Sequence, residues 1–308
     1  MRASRCVPFL LAASFAMPLL AQVPAPAPQA TPAPQITITI AGQEKLLAVV
    51  WMQRAAEYRA ACLQAYRTAA AALPDAIDDP AWTACLEQGP ADTFRNLPPA
   101  VVLDVDETIL DNSAYGARLI ADHATYESAT WSAWVHEQQA GAIPGALAYV
   151  QKAQQLGARV FYVTNRKCDR EENGKKFTDE TDTRANLRKL GFPIVEGEGE
   201  DALLCAGEVG DKAARRAKLC ERFRIVQLVG DNLGDFAPGT DSRKEADTPH
   251  GKVVEGAHVE RVRSTLVDVV GEWWGVRWIL IPNPSYGGFE DALRAQNPDL
   301  NAALRLQR

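Results

Sequence analysis

The sequence lacks the features that mark several common classes of protein. Its 308 residues include 33 basic and 39 acidic side chains, a formal net charge of −6. It therefore has no positive excess for binding a nucleic-acid polymer or an anionic membrane surface. The four histidines show no HExxH spacing, and the cysteines match no zinc pattern. With 47% apolar residues, the chain can form one large α/β domain, or one domain with an appendage.

The sequence also has no apolar run long enough to span a membrane comfortably. Its most apolar stretch, Val7 to Leu20, follows two arginines, which is typical of a secretory signal peptide. We predict a signal peptide over residues 1–21, cleaved after Ala21, and a Pro/Ala-rich extended linker over residues 22–39. The only nearby cysteine precedes the apolar run, so no stable membrane anchor is expected. The predicted location is periplasmic or secreted.

Such a location permits disulfides. The cysteines beyond the signal peptide are odd in number: Cys62, Cys85, Cys168, Cys205 and Cys220. We predict a Cys62–Cys85 bond that closes a hairpin of the N-terminal region, and a Cys168–Cys205 bond that ties two loops of the core. The remaining cysteine is then free or pairs between chains.

Helical patterns and apolar runs organise the rest of the chain. Residues 40–73 have helical spacing and residues 74–98 are broken by Pro74 and Pro80, so we expect a helical region over residues 40–98. The predicted strands are Ala100–Val105, Ala158–Val163, Ile225–Val229 and Trp278–Ile281, and the helical patterns between them include Ala146–Leu156 and Thr181–Leu190. This alternation predicts an α/β fold with a parallel sheet covered on both faces, and a ligand site beyond the carboxyl ends of the strands.

An insertion follows the first of these strands. The segment 111–145 is longer than an ordinary strand-to-helix connection and carries Tyr115, Trp131 and Trp134. We expect a small insertion beside the site, in which the aromatics either pack or contact a ligand.

The first predicted strand ends in two carboxylates. Asp104 and Asp106 are two residues apart, so on a strand they would point to the same side. Two carboxylates this close repel each other unless a cation lies between them. One can act as a nucleophile while the other, protonated, donates a proton.

Polar residues also follow the later strands. They are Thr164 and Asn165, then Lys212, then Asp231 and Asp235. Carboxylates from two strands can share a hard divalent cation such as Mg²⁺. The cation, the lysine and the hydroxyl and amide groups would together neutralise and bind phosphoryl oxygens.

The ordered motifs DVDET, VTNR, a lone lysine and GDNLGDF resemble those of the haloacid dehalogenase (HAD) superfamily. More narrowly, DVDETILDNSAY, FYVTNRK, DK before a basic helix, LVGDNLGDF and IPNPSYGGFE resemble the class C acid phosphatases. This resemblance covers roughly residues 45 to 308. It implies a Rossmann-like core over 99–308 and a small helical flanking domain, to which the C-terminal segment returns. It also implies Mg²⁺-dependent hydrolysis of phosphomonoesters through an aspartyl-phosphate, with 5′-nucleotides as candidate substrates and a homodimer as a candidate assembly.

The resemblance also implies roles for individual residues. Asp104 would be the nucleophile and Asp106 the acid/base, with the Asp106 main-chain carbonyl also reaching the metal. The remaining roles are phosphate binding by Thr164, Asn165 and Lys212, metal binding by Asp104 and Asp231, support of the metal waters by Asp235, and base stacking by Tyr286.

Two other functions stay open on this fold. One is a phosphotransferase or phosphonatase of the same superfamily. The phosphonatase is disfavoured because residues 111–145 contain no lysine for a Schiff base. The other is a non-catalytic storage or ligand-binding protein, which a measurement of cation-dependent phosphate release would separate from an enzyme.

Overall fold

Five parallel strands form the central sheet of the computed structural model, which describes residues 43–195, 201–206, 212–240 and 256–304. The predicted signal peptide and linker lie outside these residues. The strands are β1 (Pro99–Leu103), β2 (Leu110–Asp111), β3 (Gly141–Ala142), β4 (Arg159–Lys167), β5 (Arg170–Glu172), β6 (Lys175–Phe177), β7 (Leu203–Ala206), β8 (Arg224–Gly230) and β9 (Trp278–Leu280). The helices are α1 (Leu46–Arg54), α2 (Ala56–Asp78), α3 (Ala91–Phe94), α4 (Ser113–Ala121), α5 (Ser128–Glu137), α6 (Ala146–Gln155), α7 (Asp179–Lys189), α8 (Lys212–Cys220), α9 (Gly256–Val269) and α10 (Gly288–Arg294).

The sheet has the order β7-β4-β1-β8-β9, and each neighbouring pair is parallel. All four predicted strands are present, and the predicted α/β fold class is confirmed. Strand β7 escaped prediction because its four residues are too few to show a period. Strand β1 lies at the centre, between β4 and β8, so the residue that follows it is surrounded by the ends of its neighbours.

Both faces of the sheet are buried, which explains the continuous apolar runs. Val101 and Leu103 of β1 pack in a first core cluster with α2 and α6. Ala100 and Val102 point the other way, into a second cluster with Phe236 and other residues from the opposite face. Alternation along one strand therefore supplies both cores.

Helix α2 continues further than expected. The sequence predicts a break at Pro74, but the helix runs through it to Asp78. The buried face of α2 includes Leu73 and Ala76, both fully buried against the sheet, and this packing outweighs the one backbone hydrogen bond that proline cannot make. Arg224 then donates to the carbonyls of Ala76 (2.9 Å), Ile77 (2.5 Å) and Asp79 (2.8 Å), which satisfies the orphan acceptors at the helix end.

The N-terminal helices share their core with the sheet. Tyr58, Cys62 and Tyr66 of α2 belong to the same cluster as the strand residues. The C-terminal segment returns to this region, where Lys45 lies 3.4 Å from Glu290. A boundary between a helical domain and the core at residue 98 stays a prediction.

The antiparallel pair β2–β3 closes the base of the segment 111–145, which also contains helices α4 and α5. It is thus a small unit with its own secondary structure, placed directly after the loop that follows β1. No helix among the described residues is both long and apolar enough to cross a membrane.

One of the two predicted disulfides is present. Cys168 and Cys205 are bonded, with their Cα atoms 5.3 Å apart. The predicted Cys62–Cys85 bond is wrong, and both cysteines are free. Because α2 does not end at Pro74, no hairpin forms there. Cys62 lies in the first core cluster and Cys85 in the second, on opposite faces of the sheet.

Candidate active site

Asp104 lies at the carboxyl end of the central strand. Strand β1 ends at Leu103, and the Asp104 N–H donates to the Val229 carbonyl of β8 at 2.9 Å. Its side chain is only 7% exposed. The backbone thus fixes Asp104 at the sheet edge where ligands bind in parallel α/β folds.

A cluster of three carboxylates forms at this edge. Asp231 follows β8, and Asp235 lies in the short helical turn after it. Oxygen atoms of Asp104, Asp231 and Asp235 all lie within 4.8 Å of one another. The Thr108 hydroxyl lies 3.4 Å from both Asp104 Oδ2 and Asp231 Oδ1, and Asn283 Nδ2 donates to Asp231 Oδ2 at 2.8 Å. Oxygen donors alone, held this close, suit a hard divalent cation.

Lys212 supplies the positive charge of the cluster. It is the first residue of α8 and is 7% exposed. Its Nζ forms ion pairs with Asp104 Oδ1 and, at 2.7 Å, with Asp235 Oδ1. Asp235 also accepts from the Asn232 N–H at 3.0 Å. A side chain at Gly230 would collide with that of Asp235, so glycine is required where β8 ends.

This buried cluster contains three carboxylates and one lysine, so its negative charges are only partly neutralised. Burial raises the pKa of Asp104, against the opposing effect of Lys212, and Asp235 raises it further. Burial together with Asp235 and Asp104 also raises the pKa of Asp231. One lysine therefore does not balance three carboxylates, and a divalent cation would restore the balance. The residues present fit a metal ion.

Asp106 is not one of these three carboxylates, although its charge still raises the pKa of Asp104. Strand β1 was expected to run to Val105 and to point both carboxylates to one spot. Instead the chain turns after Leu103, and the amides of Ile109 and Leu110 both donate to the Val105 carbonyl at 2.9 Å. This turn directs Asp106 to a partner of its own.

That partner is Arg166, which was not among the predicted site residues. Arg166 Nε and Nη2 donate to Asp106 Oδ1 at 2.9 and 2.7 Å, and Nη1 donates to Thr183 at 3.0 Å. Asn112 Nδ2 donates to the same Asp106 oxygen at 2.9 Å, and Asn112 Oδ1 accepts from Trp134 at 2.9 Å. Arg166 closes the VTNR motif and Asn112 lies in DVDETILDN, so both motifs contained the signal.

Thr164 and Asn165 lie on β4, which extends to Lys167 rather than ending at Val163. Thr164 is 1% exposed, while Asn165 is exposed and accepts from Arg215 Nη2 at 2.7 Å. Neighbouring residues on a strand point to opposite sides. The structure therefore brings Thr164, but not the Asn165 side chain, to the buried side of the strand next to β1.

Tyr286 reaches the loop after β1 from the far end of the chain. Its hydroxyl donates to Glu107 Oε2, and Glu107 Oε1 accepts from the Asn112 N–H at 2.8 Å. The Tyr286 side chain remains 40% exposed. In the insertion, Tyr115 and Trp131 pack edge to face with ring centroids 5.1 Å apart, and the Arg166 guanidinium lies 5.4 Å from the Trp131 ring.

The fold and the site define a Rossmann-like α/β protein with a carboxylate cluster at the carboxyl ends of the neighbouring strands β1 and β8. The family model for HAD superfamily, subfamily IIIB (acid phosphatase) matches residues 30–289. The chain therefore belongs to this acid phosphatase subfamily of the HAD superfamily.

Solved structures agree with this assignment. The class C acid phosphatase from Bacillus anthracis is 28% identical with a TM-score of 0.63, covering 83% of this chain and 90% of that one. The same enzyme with tungstate bound is 27% identical with a TM-score of 0.65, covering 84% and 92%. The resemblance to class C acid phosphatases is confirmed.

Curated relatives match over a shorter length. Stem 28 kDa glycoprotein of Glycine max is 27% identical over 159 residues, which is 50% of this chain and 56% of the relative. Acid phosphatase 1 of Solanum lycopersicum is 26% identical over 153 residues, 48% of this chain and 56% of the relative. The chain thus spans about half the length of these relatives.

Proposed function

We propose that the protein is an acid phosphatase that hydrolyses phosphomonoesters through a phosphoryl group carried on Asp104. One observation carries the proposal: the two aspartates of DVDET lie in different surroundings. Asp104 is buried with Lys212 and Asp231, while Asp106 is held by Arg166. Different surroundings suit different roles, nucleophile for one and proton carrier for the other.

In this proposal, Asp104 attacks phosphorus and the ester oxygen leaves with the proton of Asp106. Asp106 then takes a proton from the water that hydrolyses the acyl phosphate, which regenerates both side chains. Lys212 and Thr164 bind the phosphoryl oxygens, with Asn165 contributing through its backbone since its side chain turns away.

The cofactor we propose is Mg²⁺. Asp104, Asp231 and the Asp106 main-chain carbonyl would hold it, and Asp235 would fix its waters. When bound, it would neutralise charge that develops on the phosphoryl group. Asp235 is buried against Lys212 and bonded to the Asn232 amide, which supports this indirect role.

The substrate class we propose is 5′-nucleotides, with the base stacked on Tyr286. The partly exposed ring and the hydrogen bond that anchors its hydroxyl to Glu107 support this role. Tyr286→Ala should raise KM for a nucleoside 5′-monophosphate but leave KM for p-nitrophenyl phosphate unchanged. Tyr286→Phe, which keeps the ring, is the matched control. An equal change in KM for both substrates would contradict base stacking on Tyr286.

We also propose export, on the basis of the predicted signal peptide and the Cys168–Cys205 bond. A homodimer and the absence of a membrane anchor remain predictions. Adding a primary alcohol to the assay separates a hydrolase from a phosphotransferase, because only the latter accumulates the alkyl phosphate.

The decisive test of the activity is phosphate release by the purified protein with and without EDTA. Asp104→Asn should lower kcat for p-nitrophenyl phosphate by about 10³-fold or more, because an amide cannot be the anionic nucleophile. Asp122→Asn, at an exposed aspartate after α4, is the control and should have no effect. Retained turnover in Asp104→Asn would refute the mechanism.

A further inference from the structure

Two free cysteines meet on the face of the sheet that contains the second core cluster. Cys85 Sγ lies 3.0 Å from Cys220 Sγ, although 135 positions separate them in the chain. Cys85 is 2% exposed in the segment that leads from α2 to β1. Cys220 ends α8 and is partly buried against the same cluster.

We propose that Cys85 and Cys220 form a second disulfide, which joins the segment before β1 to the end of α8. A disulfide S–S bond is about 2.05 Å long, so the sulfur atoms need to approach by about 1 Å. With Cys168–Cys205 already paired, this leaves Cys62 as the odd cysteine. Cys62 is fully buried in the first core cluster. The proposal does not depend on the proposed phosphatase activity, although the oxidant in the cell rests on the proposed export.

Polar contacts on both sides of the sulfur pair hold the two segments together. Glu87 Oε1 accepts from Arg216 Nη2 of α8 at 2.6 Å. Gln88 Nε2 donates to the Phe223 carbonyl at 2.9 Å, and Gln88 Oε1 accepts from the Ile225 N–H at 3.0 Å. These contacts keep the two segments side by side, with the sulfur atoms about 1 Å beyond bonding distance.

The same helix begins at the site. Arg216, one turn after Lys212, donates to the Asp235 carbonyl at 2.9 Å while it pairs with Glu87. A bond from Cys220 to Cys85 would thus fix both ends of the contact between α8 and the segment before β1. Its role is to hold α8, which begins with Lys212, against β1, the strand that Asp104 follows.

Oxidation of the Cys85 and Cys220 thiols needs an oxidant, and a disulfide donor, which is reduced to two thiols, supplies it. An export compartment provides oxidants of this class. Cys220 is the more exposed thiol, so its thiolate attacks the donor disulfide, forms a mixed disulfide and releases one donor thiol. A hydrogen bond with Cys220 and burial raise the pKa of the Cys85 thiol. Glu87 Oε2, 2.9 Å from Cys85 Sγ, accepts the thiol proton while Cys85 attacks the Cys220 sulfur of the mixed disulfide. The second donor leaves as a thiolate and takes up this proton from Glu87. The protein loses two hydrogens, and the donor becomes two thiols.

A non-reducing tryptic map of the full chain tests the proposal. Cleavage after lysine and arginine places every cysteine beyond the predicted signal peptide in a peptide of its own. The peptides are 60–67 (Cys62), 68–95 (Cys85), 168–170 (Cys168), 190–212 (Cys205) and 219–222 (Cys220). The protein is equilibrated with oxidised glutathione, unfolded in iodoacetamide at once, and digested without reductant.

We expect peptide 68–95 linked to 219–222, peptide 168–170 linked to 190–212, and peptide 60–67 alkylated. Alkylation of both Cys85 and Cys220, or a bond from either to another cysteine, would overturn the proposal. No variant is needed, so a folding defect cannot obscure the result.

Thermal unfolding of variants gives an independent measurement. In the oxidised protein, Cys85→Ala and Cys220→Ala should each lower Tm by several degrees more than Cys62→Ala, because the bond closes a long loop of the unfolded chain. The double variant should lose no more than either single variant. Equal Tm values for Cys85→Ala, Cys220→Ala and Cys62→Ala would contradict the proposal.

Discussion

Substitution of Arg166 tests whether Asp106 acts as the proton donor separately from the nucleophile Asp104. Its guanidinium is buried, with the side chain 1% exposed, and binds Asp106 through Nε and Nη2 at 2.9 and 2.7 Å. Arg166→Lys keeps the charge but loses the planar fork that fixes the carboxylate. If Asp106 protonates the leaving oxygen, the variant should misplace that proton donor without affecting the nucleophile.

The size of the effect follows from the chemistry. General acid catalysis contributes about 10²–10⁴-fold, and a displacement of about 1 Å can cost about 10²-fold. We therefore expect kcat to fall by roughly 10²-fold for an alkyl phosphate, whose leaving oxygen must be protonated. For p-nitrophenyl phosphate, whose phenolate leaves unaided, the loss should be less than about tenfold.

The assay is kcat across a series of phosphate esters with leaving groups of increasing basicity. In an Asp106→Asn background, Arg166→Lys should have no further effect, because the group that it positions is already gone. Lys152→Arg, on the exposed face of α6, is the control for the substitution of one cation by another. A uniform loss across the series, or additive effects of the two substitutions, would refute the positioning of Asp106 by Arg166.

Three further measurements address the metal, the pH dependence and the core. Adding Mg²⁺ at about 100 times its Kd should stabilise the wild type by about 2.7 kcal/mol over the EDTA-treated protein, and Asp231→Asn should lose most of this gain. Burial raises the pKa of Asp182, but hydrogen bonds from Thr178 and other groups outweigh burial and lower this pKa below its usual value. The stabilisation that the Asp182 carboxylate gives the folded state is therefore present at neutral pH and is lost as the pH falls below about 4. Asp182→Asn should flatten the curve of unfolding free energy against pH in that acidic range. Leu103→Ala, at a fully buried position, should cost about 2–5 kcal/mol in urea unfolding, whereas Leu47→Ala, at a residue 80% exposed, should change it by less than about 0.5 kcal/mol.

The sheet, and the edge at which the polar residues meet, could be predicted because both depend on the pattern of apolar and polar residues along the chain. Val101 and Leu103 alternate with Ala100 and Val102, and a strand buried on both faces needs such a continuous apolar run. The polar residues that follow each strand then meet at one edge for reasons of topology alone.

The partners of those residues could not be predicted, because they depend on where the backbone turns. Two aspartates two residues apart on a strand would share one face, but the chain leaves the strand at Leu103 and sends Asp106 to Arg166. The same limit explains the wrong disulfide. Whether Cys62 meets Cys85 depends on where α2 ends, and burial of its face against the sheet carries the helix past Pro74.

The central claim is that the phosphoryl group passes through Asp104. Acid quenching of the protein during turnover, followed by peptide mapping, tests this most directly. The peptide 96–118, which holds the DVDET motif, should gain the mass of one HPO₃ group, and fragmentation should place it on Asp104. Phosphate on another residue, or steady turnover with no phosphorylated peptide at any quench time, would contradict the account.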